Sequence, residues 1–229
     1  MKLSDIDSSP YFPIEIPSNK QKTKFRPFRV REERALLIAQ ESEDPKIMIN
    51  TLETIVKSCV VDCPSFITTF DVEYLFIQIR AKSVGEVADA VSTCTHCSEK
   101  NNIQLDLTTT KIVGENIDKK IKLSDDLVVL MKFPSISDVA DLMEDKENLE
   151  TKAIVASIET VYYGSTVLHT KDTDAEDIAE FLLNRSDDEM DKLIEFINNI
   201  PTVILEMDYK CTKCGENNHV EIKTLQDFF

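Results

Sequence analysis

Two short stretches, CTHCSEKNNIQL at residues 94–105 and CTKCGENNHVEI at residues 211–222, decide the fold of this chain. Both follow the pattern C-T-x-C-(small)-E-x-N and then alternate apolar and polar residues, as a strand does. Two thiolates three residues apart on a tight turn can reach one metal ion, and a small residue after the second cysteine lets the backbone turn back. The pattern therefore predicts a duplicated zinc knuckle.

Each knuckle supplies two ligands, whereas a closed tetrahedral zinc site needs four. We expect Cys94, Cys97, Cys211 and Cys214 to hold one structural zinc ion. With four thiolates the ion keeps no open position, so its contribution is to folding rather than to catalysis. The alternatives are redox chemistry at one C-x-x-C pair and ligation by His96 or His219, which lie beside the knuckles.

The long separation of the two knuckles predicts a zinc ribbon split by an insertion. We expect an α+β fold, mostly helical, in which a pair of zinc-ribbon-like β knuckles is joined through one four-cysteine site. The expected regions are an extended N-terminal arm, a helical region, a split β region in two pieces, and an inserted helical block: residues 1–30, 31–86, 87–134 with 201–229, and 135–200.

Helical spacing of apolar residues supports this division. One face is expected after Pro45, through Met48, Leu52, Ile55, Val56 and Cys59, and another after Asp71, through Val72, Leu75, Phe76 and Ile79. A further stripe is expected through Ile154, Ile158, Val161 and Tyr162. Thr173 and Ser186 are each followed three residues later by a glutamate, which predicts two capping boxes.

The composition excludes several classes of protein. Of the 229 residues 42% are hydrophobic and 30% charged, which is typical of a folded soluble protein, and no apolar run reaches the length of a membrane span. The N-terminus has no hydrophobic signal core, so we expect a reducing cytosol, where paired C-x-x-C motifs bind metal. The four glycines lie too far apart for a phosphate-binding loop.

The charge distribution bears on the partners. A formal charge of −16 argues against general nucleic-acid binding. Residues 20–34 are nevertheless basic, which is typical of a solvated segment or of a docking arm for an acidic partner or nucleic acid. Acids dominate residues 172–191, where Arg185 is the only base; this pattern indicates the wet face of two helices or a surface for a basic partner.

The sequence predicts no active site. Three histidines, His96, His169 and His219, stand beside no recognisable nucleophile motif, so we expect no catalytic residues and no enzyme. Cys59 falls on an apolar helix face and Cys63 precedes Pro64, and we expect both to be buried free thiols.

Four segments bear on the family of this chain: Pro17-Ser18, Arg26-Pro27-Phe28 running into Glu32-Glu33, the stretch from Phe70 to Glu86 (FDVEYLFIQIRAKSVGE) leading to a C-x-x-C, and the later C-x-x-C-G-E. Together they resemble the baseplate protein family of T-even-type contractile-tailed bacteriophages. The similarity extends from about residue 15 to the end and is most specific between Asp71 and Gly85.

The resemblance implies a structural or assembly protein of the baseplate hub that works through protein contacts and has no catalytic residues. Its implied partners are baseplate hub and wedge proteins, with self-association through the basic and acidic segments as a further expectation. The implied locations are the host cytoplasm during assembly and the tail baseplate of the virion. The alternative from another class is a zinc-ribbon adaptor that binds nucleic acid or the transcription machinery.

Overall fold

The structure, a computed structural model, describes residues 9–114, 117–139 and 149–223. It is a mixed α+β protein, which confirms the expected class. The chain divides into two compact units: residues 1–44, 51–113 and 202–229 form the first, and residues 45–50 and 114–201 form the second. Parts of the expected arm, helical block and C-terminal β region, at residues 1–8, 140–148 and 224–229, lie outside the described residues.

The N-terminal segment differs from the expected extended arm. Strands β1 (Phe12–Ile16) and β2 (Gln21–Phe25) pair as an antiparallel hairpin. Ile16 and Phe25 are buried at the ends of the two strands. The prolines of this segment suggested an arm, but proline is tolerated in a strand that has a free edge, and the buried ends fix the hairpin to the first unit.

Three helices follow: α1 (Val30–Glu41), α2 (Pro45–Cys59) and α3 (Thr69–Ser83). The apolar face predicted for α3 is confirmed. Its four predicted core residues are fully buried, with 0% exposure each: Val72, Leu75, Phe76 and Ile79. The N-cap residue is Thr68, whose side chain accepts from the Asp71 N–H, and the Asp71 side chain accepts from the Thr68 N–H. The helix ends at Ser83.

Two β-hairpins of the first unit carry the cysteine pairs in their turns. Strand β3 (Val87–Thr93) pairs with β4 (Lys100–Asp106), and Cys94 and Cys97 lie between them. In the C-terminal hairpin, β10 (Thr202–Lys210) pairs with β11 (Asn217–Ile222). The short strand β5 (Lys111–Val113) adds to the other edge of β10.

The second unit contains an antiparallel sheet in the order β6 (Lys120–Lys122), β7 (Leu127–Met131), β8 (Ile158–Tyr163) and β9 (Thr166–His169). Its helices are a short helical segment at residues 136–139, α4 (Leu149–Ser157), α5 (Ala175–Leu183) and α6 (Asp187–Asn198).

The helical stripe predicted through Ile158, Val161 and Tyr162 is wrong, because these residues form β8. Ile154 alone of that stripe is helical, in α4. β-branched and aromatic side chains favour strands, and pairing with β7 and β9 on both sides outweighs the helical spacing.

One of the two predicted capping boxes is confirmed. At the start of α6 the Ser186 side chain accepts from the Glu189 N–H, and the Glu189 side chain accepts from the Ser186 N–H. Helix α5 instead begins one residue later than expected, with Asp174 as its N-cap and no side-chain cap bond, so the Thr173 box is wrong. Within the described residues, no helix is both long and apolar enough to span a membrane.

Candidate metal centre

The two hairpin turns bring the four predicted cysteines to one point. Their Sγ atoms all lie within 4.8 Å of one another. The Cys94–Cys214 and Cys97–Cys211 Sγ distances are both 3.7 Å, far longer than a disulfide, and all six cysteines are free. Zinc bonds to sulfur at about 2.3 Å, and a tetrahedron of that radius has edges of about 3.8 Å. The spacing therefore suits four thiolates around one zinc ion.

The two turns have the same backbone geometry. In each turn the N–H of the residue after the second cysteine donates to the carbonyl of the first, from Ser98 to Cys94 and from Gly215 to Cys211, at 3.0 Å in both cases. That residue has a positive φ, 58° at Ser98 and 76° at Gly215. Glycine adopts this left-handed conformation without steric cost and a small side chain at modest cost, which accounts for the small residue in the motif.

The hairpins are fastened to each other by crossed hydrogen bonds, which we call the crossed clamp. The backbone N–H and hydroxyl of Thr95 both donate to Oδ1 of Asn218, at 2.9 and 3.1 Å. The backbone N–H and hydroxyl of Thr212 donate to Oδ1 of Asn101, both at 2.9 Å. Each hairpin thus supplies one asparagine that holds the threonine beside the other hairpin's first cysteine.

Each asparagine is itself held within its own turn. The amide of Asn101 donates to the Glu99 carbonyl at 3.0 Å, and that of Asn218 donates to the Glu216 carbonyl at 3.1 Å. Asn101 also approaches the Cys211 Sγ atom at 3.6 Å. Both asparagines are buried, so hydrogen bonds between the two hairpins hold the surroundings of the four cysteines.

Sequence reasoning did not assign roles to Thr95, Asn101, Thr212 and Asn218. The signal was present, since the threonine and the asparagine occupy the same places in both copies of the motif. What spacing cannot reveal is that each asparagine bonds to the other copy rather than to its own. Lys213 and Glu99 add a further cross-hairpin contact, an ion pair of 2.8 Å.

The electrostatic surroundings of the four cysteines favour the binding of a cation between their sulfur atoms. Backbone N–H groups of Cys214 and Lys213 point at the Cys211 sulfur and lower the pKa of that thiol to about 6. At Cys214 the Glu216 N–H acts in the same direction, but lost hydration and the neighbouring Cys97 sulfur outweigh it and raise the pKa to about 12. Four thiolates this close repel one another, and a divalent cation that prefers sulfur ligands removes the repulsion.

The histidines lie outside this cluster. Among the described residues, the group able to hold a metal contains the four cysteines and no histidine. His219 instead contacts Asp208 on the paired strand, with 2.8 Å between Nδ1 and Oδ1. This carboxylate raises the pKa of His219. His96 lies in the first turn, where its backbone N–H donates to the Cys94 sulfur at 3.4 Å.

The burial of the two remaining cysteines agrees only in part with the prediction. Cys59 is buried in α2, as predicted, whereas Cys63 is half-buried and the prediction of full burial is wrong. Burial raises the pKa of both thiols. Neither belongs to the four-cysteine cluster.

One of the basic residues in the segment 20–34, Arg26, is buried in the core. Arg26 is 3% exposed, and its guanidinium donates to the Glu32 carboxylate at 2.9 Å and to the Ser58 carbonyl at 3.0 Å. Burial of Glu32 alone would raise its pKa, but hydrogen bonds from Arg26 and Arg31 lower it to about 2. Arg26 therefore fastens α1 to α2, and the exposed bases of the hairpin include Lys22 and Lys24.

These features define an α+β protein in which two matching cysteine hairpins close one cluster of four cysteines. The chain belongs to the T4 bacteriophage base plate protein family, which it matches over residues 9–229. This finding confirms the resemblance drawn from the sequence.

A curated relative narrows the comparison. The chain is 23% identical over 206 residues to the baseplate hub assembly protein gp26 of Enterobacteria phage T4, an alignment that covers 89% of this chain and 90% of that protein. No solved structure matches the chain.

Proposed function

We propose that this chain is a non-enzymatic structural or assembly protein of a bacteriophage baseplate hub. The observation that carries the proposal is the family match over residues 9–229 together with a relative named as a hub assembly protein. Because that alignment spans most of both chains, the likeness concerns the whole protein rather than one shared module. The function is exerted through contacts with hub and wedge proteins.

The second part of the proposal is a structural zinc ion held by Cys94, Cys97, Cys211 and Cys214. Four sulfur ligands fill a tetrahedral zinc and leave no position for water or substrate, which fits a protein that binds partners and performs no chemistry. The ion would join the two pieces of a split zinc ribbon, with residues 114–201 of the second unit as the main part of the insertion.

Native mass spectrometry tests the zinc proposal. We expect one zinc per chain, and we expect Cys211→Ala to lose metal and stability together. Cys63→Ala is the matched control, because Cys63 is a half-buried thiol outside the cluster and should leave the metal content unchanged. Full occupancy in the Cys211 variant contradicts the four-thiolate site.

The proposed place of action is the host cytoplasm during assembly and, for a retained component, the tail baseplate. Quantitative proteomics of purified particles and of lysate from infected cells distinguishes the two. A fixed ratio to other baseplate proteins in particles indicates a structural component, and abundance in lysate with absence from particles indicates an assembly factor that leaves. Baseplates of normal yield and composition from phage lacking this chain would contradict both.

The competing function, a zinc-ribbon adaptor for nucleic acid or the transcription machinery, is opposed by the net charge of −16. A gel shift of the zinc-loaded chain with DNA and RNA at physiological salt separates the two. Binding there would favour the adaptor, and we expect none.

A further inference from the structure

A groove of about 500 Å³ lies in the first unit beside both cysteine hairpins. It is lined by residues 88–92 of β3, by Ile103 and Leu105 of β4, by residues 220–222 of β11 and by Arg80 of α3. Consecutive residues of β3 and of β11 border it. Because side chains alternate between the faces of a strand, consecutive lining residues mean that the strand edges themselves face the groove.

Both of those edges are open. Among the described strands, β3 pairs with β4 and no other, and β11 is the outermost strand of the sheet β11-β10-β5. An open edge presents unpaired backbone N–H and C=O groups, which an extended segment can pair with. Ile103 and Leu105, both buried, supply apolar surface beside these edges. The groove therefore offers what a strand needs, hydrogen-bonding edges and an apolar floor.

The cationic side chain of Arg80 also lines the groove. The Nη1 atom of Arg80 is buried and, within the described part of the chain, has no hydrogen-bond partner. Burial lowers the pKa of Arg80, with no opposing contribution from a nearby acid. Two acids also line the groove, and both contact groups other than Arg80: Asp89 accepts from the neutral amide of Gln104 at 3.2 Å, and Glu221 pairs with Lys223 at 3.2 Å.

A buried guanidinium donor without a partner is costly, and a carboxylate is the group whose geometry best matches the donors of an arginine. We propose that this groove binds an extended segment of a partner protein, which pairs with the open edges of β3 and β11 and places an acidic side chain on Arg80. The strand edges select an extended peptide over a free anion, and Arg80 selects an acidic residue over a neutral one. Peptide binding in this groove is a separate property from the proposed baseplate role and depends on residues of the first unit.

Nuclear magnetic resonance of the full zinc-loaded chain provides the test. The probe is a capped seven-residue peptide of alternating threonine and valine with one central glutamate, and the matched probe has glutamine there. We expect the glutamate peptide to shift the amides of β3 and β11 and the Arg80 side-chain signals at millimolar concentration. The glutamine peptide should bind about tenfold more weakly, because one charge-assisted bond is lost.

Arg80→Gln should remove the difference between the two peptides. Since the buried Nη1 atom of Arg80 has no hydrogen bond to lose, this variant should melt no lower than the wild type. Arg185→Gln removes a cation of the second unit, outside the groove, and should leave the difference between the two peptides unchanged. Slower amide exchange in β3 and β11 on peptide addition would support strand pairing. Shifts elsewhere, equal affinity for the two peptides, or no binding at millimolar concentration would each overturn the proposal.

Discussion

Asn101 and Asn218 occupy equivalent places in the two cysteine hairpins, and each accepts two hydrogen bonds from the other hairpin. Removing a buried amide that accepts such bonds leaves the donors of the other hairpin unsatisfied, at a cost of about 1–3 kcal/mol. The crossed clamp therefore contributes to stability separately from any metal, and it also orients the ligands by holding the residue next to each first cysteine.

Asn218→Ala tests this contribution. We expect a loss of about 2–3 kcal/mol in the free energy of unfolding, measured by urea denaturation, and a zinc affinity lower by about 10–100-fold in chelator competition. Gln104→Ala is the matched control, because Gln104 makes one exposed bond, to Asp89 on the paired strand of its own hairpin. Equal stability of the two variants would show that the clamp is not a stabilising contact.

Glu73 in α3 gives a prediction about pH. Burial raises the pKa of this carboxyl from 4.5 to about 7. A raised pKa in the folded state means that the protonated form is favoured there, so the associated stability is present below about pH 4.5 and is lost as the pH rises through about 7. Allowing for the partial exposure of Glu73, we expect the free energy of unfolding to fall by roughly 2 kcal/mol as the pH rises across this range.

Glu73→Gln should abolish that part of the pH dependence. The variant should match the wild type near pH 4.5 and exceed its stability near pH 8, in denaturation curves recorded across the range. Glu33→Gln, at an exposed position of α1, serves as the control. Parallel curves for wild type and the Glu73 variant would contradict the raised pKa.

At the residue scale the sequence predicted the four clustered cysteines because their spacing is local and duplicated. It did not predict the burial of Arg26, because in one dimension that residue is one of several bases in a run. Only the fold places it against Glu32 and the Ser58 carbonyl. Roles that depend on a distant partner are invisible to local spacing.

At the scale of elements, long periodic segments were predictable and short ones were not. Helix α3 buries the face that its periodicity indicated, and Ser186 caps α6 as expected. The hairpin β1–β2 and the strand β8 were missed. Both owe their conformation to pairing with other strands, and β8 contains apolar residues whose spacing also fits a helix.

Metal removal should affect particular elements. A structural zinc contributes folding energy on the order of 10 kcal/mol. A chelator should therefore raise the amide exchange rates of the hairpins β3–β4 and β10–β11 by a factor on the order of a hundred or more. Helices α5 and α6 belong to the second unit and should retain their protection. Hydrogen-exchange mass spectrometry measures both at once, and a uniform increase over all elements would contradict this assignment.

At the scale of the whole molecule, the charge is strongly negative but unevenly spread. Exposed Lys22 and Lys24 lie on the N-terminal hairpin, while residues 172–191 are acidic. Opposite charges on one chain allow two copies to attract each other, as the sequence suggested. Such attraction between exposed groups is screened beyond about 8–10 Å at physiological ionic strength.

We therefore expect self-association at low salt that weakens as sodium chloride is added, measured by sedimentation velocity. The double variant Lys22→Glu with Lys24→Glu should remove it. Lys100→Glu with Lys120→Glu makes the same change in net charge at exposed positions outside this hairpin and should preserve it. An oligomer insensitive to salt would exclude this mode of association.

The crossed clamp also sets the order of events on the ribosome. Asn101 can accept its bonds from Thr212 only after Thr212, 111 residues further along the chain, has been synthesised. At translation rates of about 5–20 residues per second, that wait lasts about 6–22 seconds. During this interval the first hairpin leaves the exit tunnel with two thiols and no second pair to share an ion with. Closure of the site is thus a late event, and a chain truncated before residue 211 ends with half a site.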